Sequence, residues 1–337
     1  MNRTALSLSA ALLATSATAH AGERLDAIKE RGNLICGVSQ PSAGWASPDD
    51  SGRMVGMDAD VCRAMAAALF GDAEKVEFLP LNFQVRFQAL QSGEIDVLSR
   101  QTTNTYSREI SLGANFGPTI FYDGQGLMVN ADLGVESALE LDGASICILP
   151  GTTSEKNVSD YFRANNMSFE PVVFESGDEW RSAFFSGRCD VATSDRSDLA
   201  SARAVANDPS QFVILPETIS KEPLGPSVPQ GDDDWWGIMS WVVYALFFAE
   251  ERGITSQNVD EFLESEDPEI QRFLGVTEGL GSMAGLDDKW AYNAIKQVGN
   301  YEELFERHLG PDTPLGLSRG LNKPWTEGGL LYAPPFR

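Results

Sequence analysis

Two stretches of the chain carry the same pattern of apolar and polar positions. Residues 87–99, FQALQSGEIDVLS, and residues 182–194, SAFFSGRCDVATS, both begin with apolar residues at helical spacing. Each then passes through Ser-Gly, two further residues and Asp-Val into a small or polar turn. Gly93 and Gly187 predict helix ends, because glycine takes up the left-handed C-terminal conformation without a Cβ clash. The Asp-Val pairs then open short buried strands. A second echo pairs NLICGVSQ (33–40) with ASICILPG (144–151). Both read as interior strands opening into a turn marked by Pro, Gly or Ser. A helix follows each, ADVCRAMAAALFG after Met57-Asp58 and SEKNVSDYFRANN after Gly151-Thr152-Thr153.

Strands alternating with helices predict an α/β protein of two lobes with mainly parallel central sheets. In such sheets ligands bind beyond the carboxyl ends of the strands, so facing lobes would enclose a cleft lined by the loops after each strand. The Gly- and Pro-marked stretches GPTIFYDGQGL (117–127) and LPETISKEPLG (215–225) are the candidate crossings. They divide the chain into a first lobe over 22–120, a second over 121–218, and a return to the first lobe over 219–337. The longest later apolar run, WWGIMSWVVYALFFA (235–249), starts after three aspartates and stops near Gly253. It is too short to span a bilayer and predicts a buried helix. The last residues, LGPDTPLGLSRGLNKPWTEGGLLYAPPFR, lack periodicity and predict an irregular extension wrapped on an existing domain.

Charge and a leader narrow the function. Residues 1–21 have an early cation at Arg3, an apolar alanine-rich middle and the ending Ala19-His20-Ala21, the pattern of a cleaved secretory signal. The formal net charge is -24, and loss of Arg3 takes it to -25. Such a chain repels nucleic acid and anionic lipid. Cys36, Cys62, Cys147 and Cys189 form no metal pattern; in an oxidising compartment they predict disulfides, with three pairings open. Once His20 leaves with the signal, His308 is the remaining histidine, in the charged helical stretch YEELFERHLG and expected on a solvated face. One histidine is a poor basis for a His-dependent nucleophile or a His-rich metal site, so any catalysis would run on carboxylates, lysine or tyrosine, and no catalytic residue or cofactor is named.

The run QTTNTYSREIS (101–111) follows the first echo's strand and carries Arg108 behind Thr102, Thr103, Thr105 and Ser107. A guanidinium forks a carboxylate, and threonine hydroxyls complement it; the alternative is a solvated arginine at a helix start. Pro150-Gly151-Thr152-Thr153 opens a helix after a strand, giving an anion site or simple capping by Thr152 or Thr153. Asp195, in VATSDRSDL, holds the corresponding place after the second echo. It is an ammonium partner or a helix cap beside Arg196. Together the three suit the backbone of a free α-amino acid.

With ERLDAIKERGNLICGV, GMDADVCRAMAAALFGD, RFQALQSGEIDVLSRQTTNTYSRE, the GTTSEKN turn, PLGPSV, the DDDWW helix and the tail LGLSRGLNKPWTEGGLLYAPPFR, the chain resembles a known family. These are the periplasmic solute-binding proteins (family 3) of polar amino-acid ABC importers, in the general L-amino-acid-binding branch. The resemblance implies a periplasmic-binding-protein-like fold with a two-strand hinge, a monomer in the periplasm, a free L-amino acid ligand of broad type and an ABC permease as partner. Carried onto this chain, it implies that Arg108 forks the ligand carboxylate with help from Thr103, Thr153 and Thr152. Asp195 and the Gln101 carbonyl hold the ammonium, and Phe83 walls the pocket. Gln40, where relatives often have a carboxylate, argues against a strictly cationic ligand. Arg100 either favours acidic or amide side chains or is structural. Disulfides within each lobe, Cys36–Cys62 and Cys147–Cys189, leave the hinge free and are mechanically preferred. Two rival readings share the fold. One is a cyclohexadienyl dehydratase, with Glu217 or Asp123 as its acid; the other is an amino-acid sensor module.

Overall fold

The computed structural model describes residues 22–337, and the signal peptide expected over 1–21 lies outside the described residues. Both echoes form the same unit. Helix Arg86–Ser92 closes on Gly93, and helix Gly177–Phe185 runs through Ser186 into Gly187. The two glycines have φ of 79° and 75°, the left-handed conformation that the pattern required. Strands Val97–Leu98 and Val191–Asp195 follow them.

Each echo strand sits at the centre of a five-stranded sheet. The first sheet has the order Val76–Leu81, Leu34–Ser39, Val97–Leu98, Ser227–Pro229, Ala114–Phe116. The second has the order Glu170–Val173, Ser145–Ile148, Val191–Asp195, Gln125–Asn130, Phe212–Ile214. In both, the first three strands are parallel, in register Cys36↔Phe78 and Cys36↔Val97 in one and Cys147↔Val172 and Cys147↔Ala192 in the other. The fourth strand of each runs antiparallel to both its neighbours. The expectation of mainly parallel sheets therefore holds for one half of each sheet. The cause is the hinge, where Phe121–Asp123 pairs antiparallel with Glu222–Leu224. The strands that continue directly from it, Gln125–Asn130 and Ser227–Pro229, enter their sheets from the cleft, opposite to strands that end there.

The first lobe's core is built around helix Asp233–Glu251, whose Trp235, Met239, Val242, Val243 and Leu246 are fully buried. Its indole Trp235 Nε1 donates to the Asp96 carbonyl at 2.9 Å, so the buried ring leaves no unpaired N–H. Asp232 caps this helix through Trp235 N–H (2.9 Å). It also accepts the Arg24 and Leu25 N–H groups (2.9 and 3.1 Å) at the start of helix Glu23–Arg31, whose own N-cap, Gly22, has no side chain to offer. Among the described residues no helix is long and apolar enough to cross a membrane. The irregular tail closes over this core: the Phe336 ring lies 4.9–5.1 Å from those of Phe273, Phe248 and Trp241. Asn322, in the same tail, accepts the Tyr122 N–H of the hinge at 2.6 Å.

His308 departs from expectation. Its side chain is 10% exposed, and its Nε2 lies 2.7 Å from Asp60 Oδ2, which also accepts Arg307 Nη1 at 2.7 Å. The buried Asp60 draws the ring inward; a charged local sequence cannot reveal a partner 248 residues away. The cysteines pair as Cys36–Cys62 and Cys147–Cys189, one bridge fastening a helix to the first sheet and one lying within the second lobe. Removing the second bridge with a Cys147→Ser/Cys189→Ser variant releases a sequence separation of 42 and should cost about 2–4 kcal/mol from chain entropy. Denaturant unfolding with a matched reduced control checks this, and unchanged stability would refute it.

Candidate ligand cleft

The lobes are closed on one another. Ser42 Oγ lies 3.2 Å from Ser201 Oγ, Arg181 Nη2 donates to the Pro41 carbonyl at 3.1 Å, and Gln84 Nε2 donates to the Glu175 carbonyl at 3.4 Å. Between them the loops after both echo strands meet.

On the first lobe, Thr105 caps helix Tyr106–Leu112 by accepting the Arg108 N–H. This fixes Arg108 in the first turn, facing inward, and buries it at 6% exposure. Its Nη1 donates to the Thr103 carbonyl at 2.7 Å and its guanidinium lies 5.4 Å from the Phe87 ring centre. The solvated-arginine alternative is therefore excluded. Gln101 adopts a positive φ of 40°, a strained conformation for a residue with a Cβ. Its N–H is held by Asp58 Oδ2 at 3.1 Å, and Ser99 Oγ donates to Asp58 Oδ1 at 2.9 Å. The Gln101 side-chain Nε2 is buried without a partner. Arg100 donates through Nε to the Leu81 carbonyl at 2.9 Å and stacks 3.9 Å over the Phe83 ring. Burial pulls its pKa down to about 10. Gln40, Phe83, Arg100 and Gln101 line one small cavity with Trp180 and Asp198 of the other lobe.

Arg86, absent from the expected set, completes this face. It is 2% exposed, lies 5.2 Å from the Phe83 ring centre and 5.1 Å from that of Phe87, and its Nε has no hydrogen-bond partner. Burial holds its pKa well below the usual arginine range, and the neighbouring Arg100 and Arg108 cations push it the same way. Among the described residues none of the three guanidiniums has a carboxylate at ion-pair distance. The sequence did carry a trace of Arg86: in helix RFQALQS it shares a face with the buried Ala89 and Leu90 at i+3 and i+4. A cation on an apolar face needs a reason to be there.

On the second lobe, Thr152 is the N-cap of helix Thr153–Ala164, accepting the Glu155 N–H at 3.2 Å and donating to the Leu149 carbonyl at 2.7 Å. Its hydroxyl is thus spent on the helix end. Thr153 instead donates to Glu222 Oε2 at 2.9 Å. Asp195 ends its strand at the N-cap position of helix Arg196–Ala204 without capping it. The cap comes from the hinge, where Asp123 Oδ2 accepts the Ser197 N–H at 3.1 Å. Arg196 turns away to donate to the Leu215 and Glu217 carbonyls, at 2.7 and 3.0 Å. Asp195 is left 8% exposed, with no protein donor on its carboxylate. Burial raises its pKa well above the ordinary range, and the Asp123, Glu222 and Asp198 charges add to the rise while Arg108 opposes it.

A family model for bacterial extracellular solute-binding proteins, family 3, matches residues 34–311. A general L-amino acid-binding periplasmic protein of Rhizobium johnstonii is 52% identical over 98% of this chain and 97% of its own. A glutamate/glutamine/aspartate/asparagine-binding protein of Rhodobacter capsulatus is 50% identical over the full length of both chains. A solved ABC transporter periplasmic binding protein from Brucella ovis with glutathione bound superimposes with a TM-score of 0.92 at 51% identity, covering 94% of this chain and all of the other.

Buried carboxylates set a pH dependence. Asp58 and Asp123 are pushed up to about 6 by burial, from an ordinary value of 3.8, and Asp195 moves in the same direction. Each holds its proton more tightly folded than unfolded; the stability lent by Asp58 and Asp123 is full below about pH 4 and is lost as pH rises through about 6, and Asp195 acts in the same sense. Asp60, whose burial is outweighed by His308 and two arginines so that its pKa is lowered, lends constant stability over this range and loses it only as pH falls below its ordinary value. The unliganded protein should melt at a higher temperature at pH 5 than at pH 7.5 in calorimetry, and Asp58→Asn should narrow the difference. A melting temperature that is unchanged or rises from pH 5 to pH 7.5 would mean that these groups stay ionised throughout.

Proposed function

Because the chain belongs to the bacterial extracellular solute-binding proteins of family 3, we propose that it captures free L-amino acids outside the cytoplasm and delivers them to the permease of an ABC importer. One observation carries the ligand class. Arg108 and Asp195, of opposite sign and from opposite lobes, are both buried facing the cleft, and neither has a side-chain ion partner in the protein. An α-carboxylate on Arg108 and an α-ammonium on Asp195 would offset both desolvation costs at once, which no simple anion or cation does. The Gln101 carbonyl supplies a further acceptor for the ammonium, and the Thr153 N–H at the start of its helix a donor for the carboxylate.

The side-chain end of the site favours acidic and amide ligands. Phe83 lies between Arg86 and Arg100, so a carboxylate or carboxamide reaching them would meet donors on an aromatic wall. This reading is supported by the Rhodobacter capsulatus relative, which binds glutamate, glutamine, aspartate and asparagine, and by the glutathione, with two carboxylates and an α-amino group, bound to the Brucella ovis protein; the Rhizobium johnstonii relative, a general L-amino acid binder, supports the amino-acid class alone. Gln40, neutral beside this wall, offers a cationic side chain an amide oxygen but no compensating charge. Nothing in the cleft favours the dehydratase alternative: Asp123 accepts the Gly124 and Ser197 N–H groups, and Glu217 accepts the Ser137 hydroxyl.

Calorimetric titration of refolded, ligand-stripped protein tests the reading with glutamate, glutamine, leucine, arginine, glycine and glutarate. Several amino acids should bind, glutamate and glutamine most tightly and arginine weakly, and glutarate should not. Arg108→Ala should cost about 2–5 kcal/mol in glutamate binding, since it leaves a desolvated carboxylate unpaired. Affinity within twofold of wild type would remove Arg108 from the site, and no binding by any amino acid would remove the function.

A further inference from the structure

Glu222, on the second hinge strand, is 1% exposed and accepts four hydrogen bonds. Its Oε2 takes the Thr103 hydroxyl of the first lobe at 2.5 Å and the Thr153 hydroxyl of the second lobe at 2.9 Å. Its Oε1 takes Asn157 Nδ2 at 2.7 Å and Ser220 Oγ at 2.5 Å. A carboxylate has about four acceptor sites, so this one is saturated. We propose that Glu222 is an internal latch: a positioning residue that ties the two lobes together on one oxygen atom and fixes which way the cleft threonines present themselves to the ligand.

Two consequences follow from the proton count. The lobes cannot separate at Thr103 and Thr153 without breaking a charge-assisted bond to Oε2, so the hinge favours closure before any ligand contributes. Each threonine hydroxyl also owns a single proton, and Glu222 takes it. Thr103 and Thr153 therefore face the cleft as acceptors: their hydroxyls can receive bonds from an ammonium and have none to give a carboxylate. This reverses the role the sequence suggested for them and leaves the carboxylate to Arg108 and backbone N–H groups. The binding half of the inference rests on the amino-acid reading, whereas the closure half does not.

The test compares ligand-stripped wild type, Glu222→Gln and Asn157→Ala. The amide of Glu222→Gln sets N–H protons against two of the four donors, and Asn157→Ala removes one lobe-two bond at a half-buried helix position where alanine keeps the helix. X-ray scattering should show a larger radius of gyration for unliganded Glu222→Gln and a smaller increase for Asn157→Ala. Titration should show glutamate weakened at least tenfold in Glu222→Gln, with the preference for glutamate over glutarate narrowed, a change that simple loosening would not produce. Wild-type dimensions and affinities in both variants would overturn the latch. If no amino acid binds wild type while the scattering shift persists, the latch stands and the amino-acid reading falls; if amino acids bind and neither variant moves either readout, the reverse holds. Should Glu222→Gln fail to fold, the dimensions of Asn157→Ala decide.

Discussion

A charge buried without a partner is among the costliest things a fold can hold, and this cleft holds several. Arg86, Arg100 and Arg108 all lie at or below 6% exposure without an ion pair, and Asp195, at 8%, meets the same cost by holding its proton more tightly. They are tolerated because their surroundings are already fixed. The Leu81 and Thr103 carbonyls take single guanidinium protons, and the Phe83 and Phe87 faces take the cations. Asp123 relieves Asp195 of the capping duty its position would impose. The helix ends, the strained Gln101 and the hinge pairing can all be read as support for this one unfavourable arrangement. A ligand bearing both charges converts it into a favourable one.

The two lobes supply opposite halves of that arrangement. Positive charge comes from the first lobe, on a loop and two short helices beside strand Val97–Leu98, and Asp195 comes from the end of the equivalent strand of the second. Equivalent strands carry opposite chemistry, so an internal echo in the sequence becomes a complementary pair in space. Within each sheet the strand that comes straight from the hinge runs against its neighbours, which places the hinge strands, with Asp123 and Glu222, at the floor of the cleft.

Much of this was legible in the residues. Helix ends at Gly93 and strands at the Asp-Val pairs follow from local rules, because glycine conformation and hydrophobic periodicity act over a few residues; the inward face of Arg108 does not, since its local pattern fits a solvated helix start equally well. What escaped notice depends on distant partners. Glu222 looks like an ordinary acid in SKEPLG until Thr103, 119 residues away, and Thr153 are brought to it. Asp195 reads equally as an ammonium partner or a cap, because nothing in VATSDRSDL reveals that Asp123 will cap in its place, and His308 reads as solvated because Asp60 is remote. Arg86 is the exception, since its place on a buried helix face was visible in RFQALQS.

Asp232 joins the N-termini of two helices that begin about two hundred residues apart, binding Arg24 N–H across a separation of 208 and Trp235 N–H across three. The lobe made first is therefore finished last. The second sheet draws its strands from one uninterrupted stretch and can assemble before the rest of the chain is made. The first must wait for residues beyond Asp232, keeping Trp45, Met57 and Met65 of its eventual core uncovered until then. Contacts of such span close slowly. The two ends of the chain thus share one core, and a single carboxylate ties the start of one helix to the start of the other.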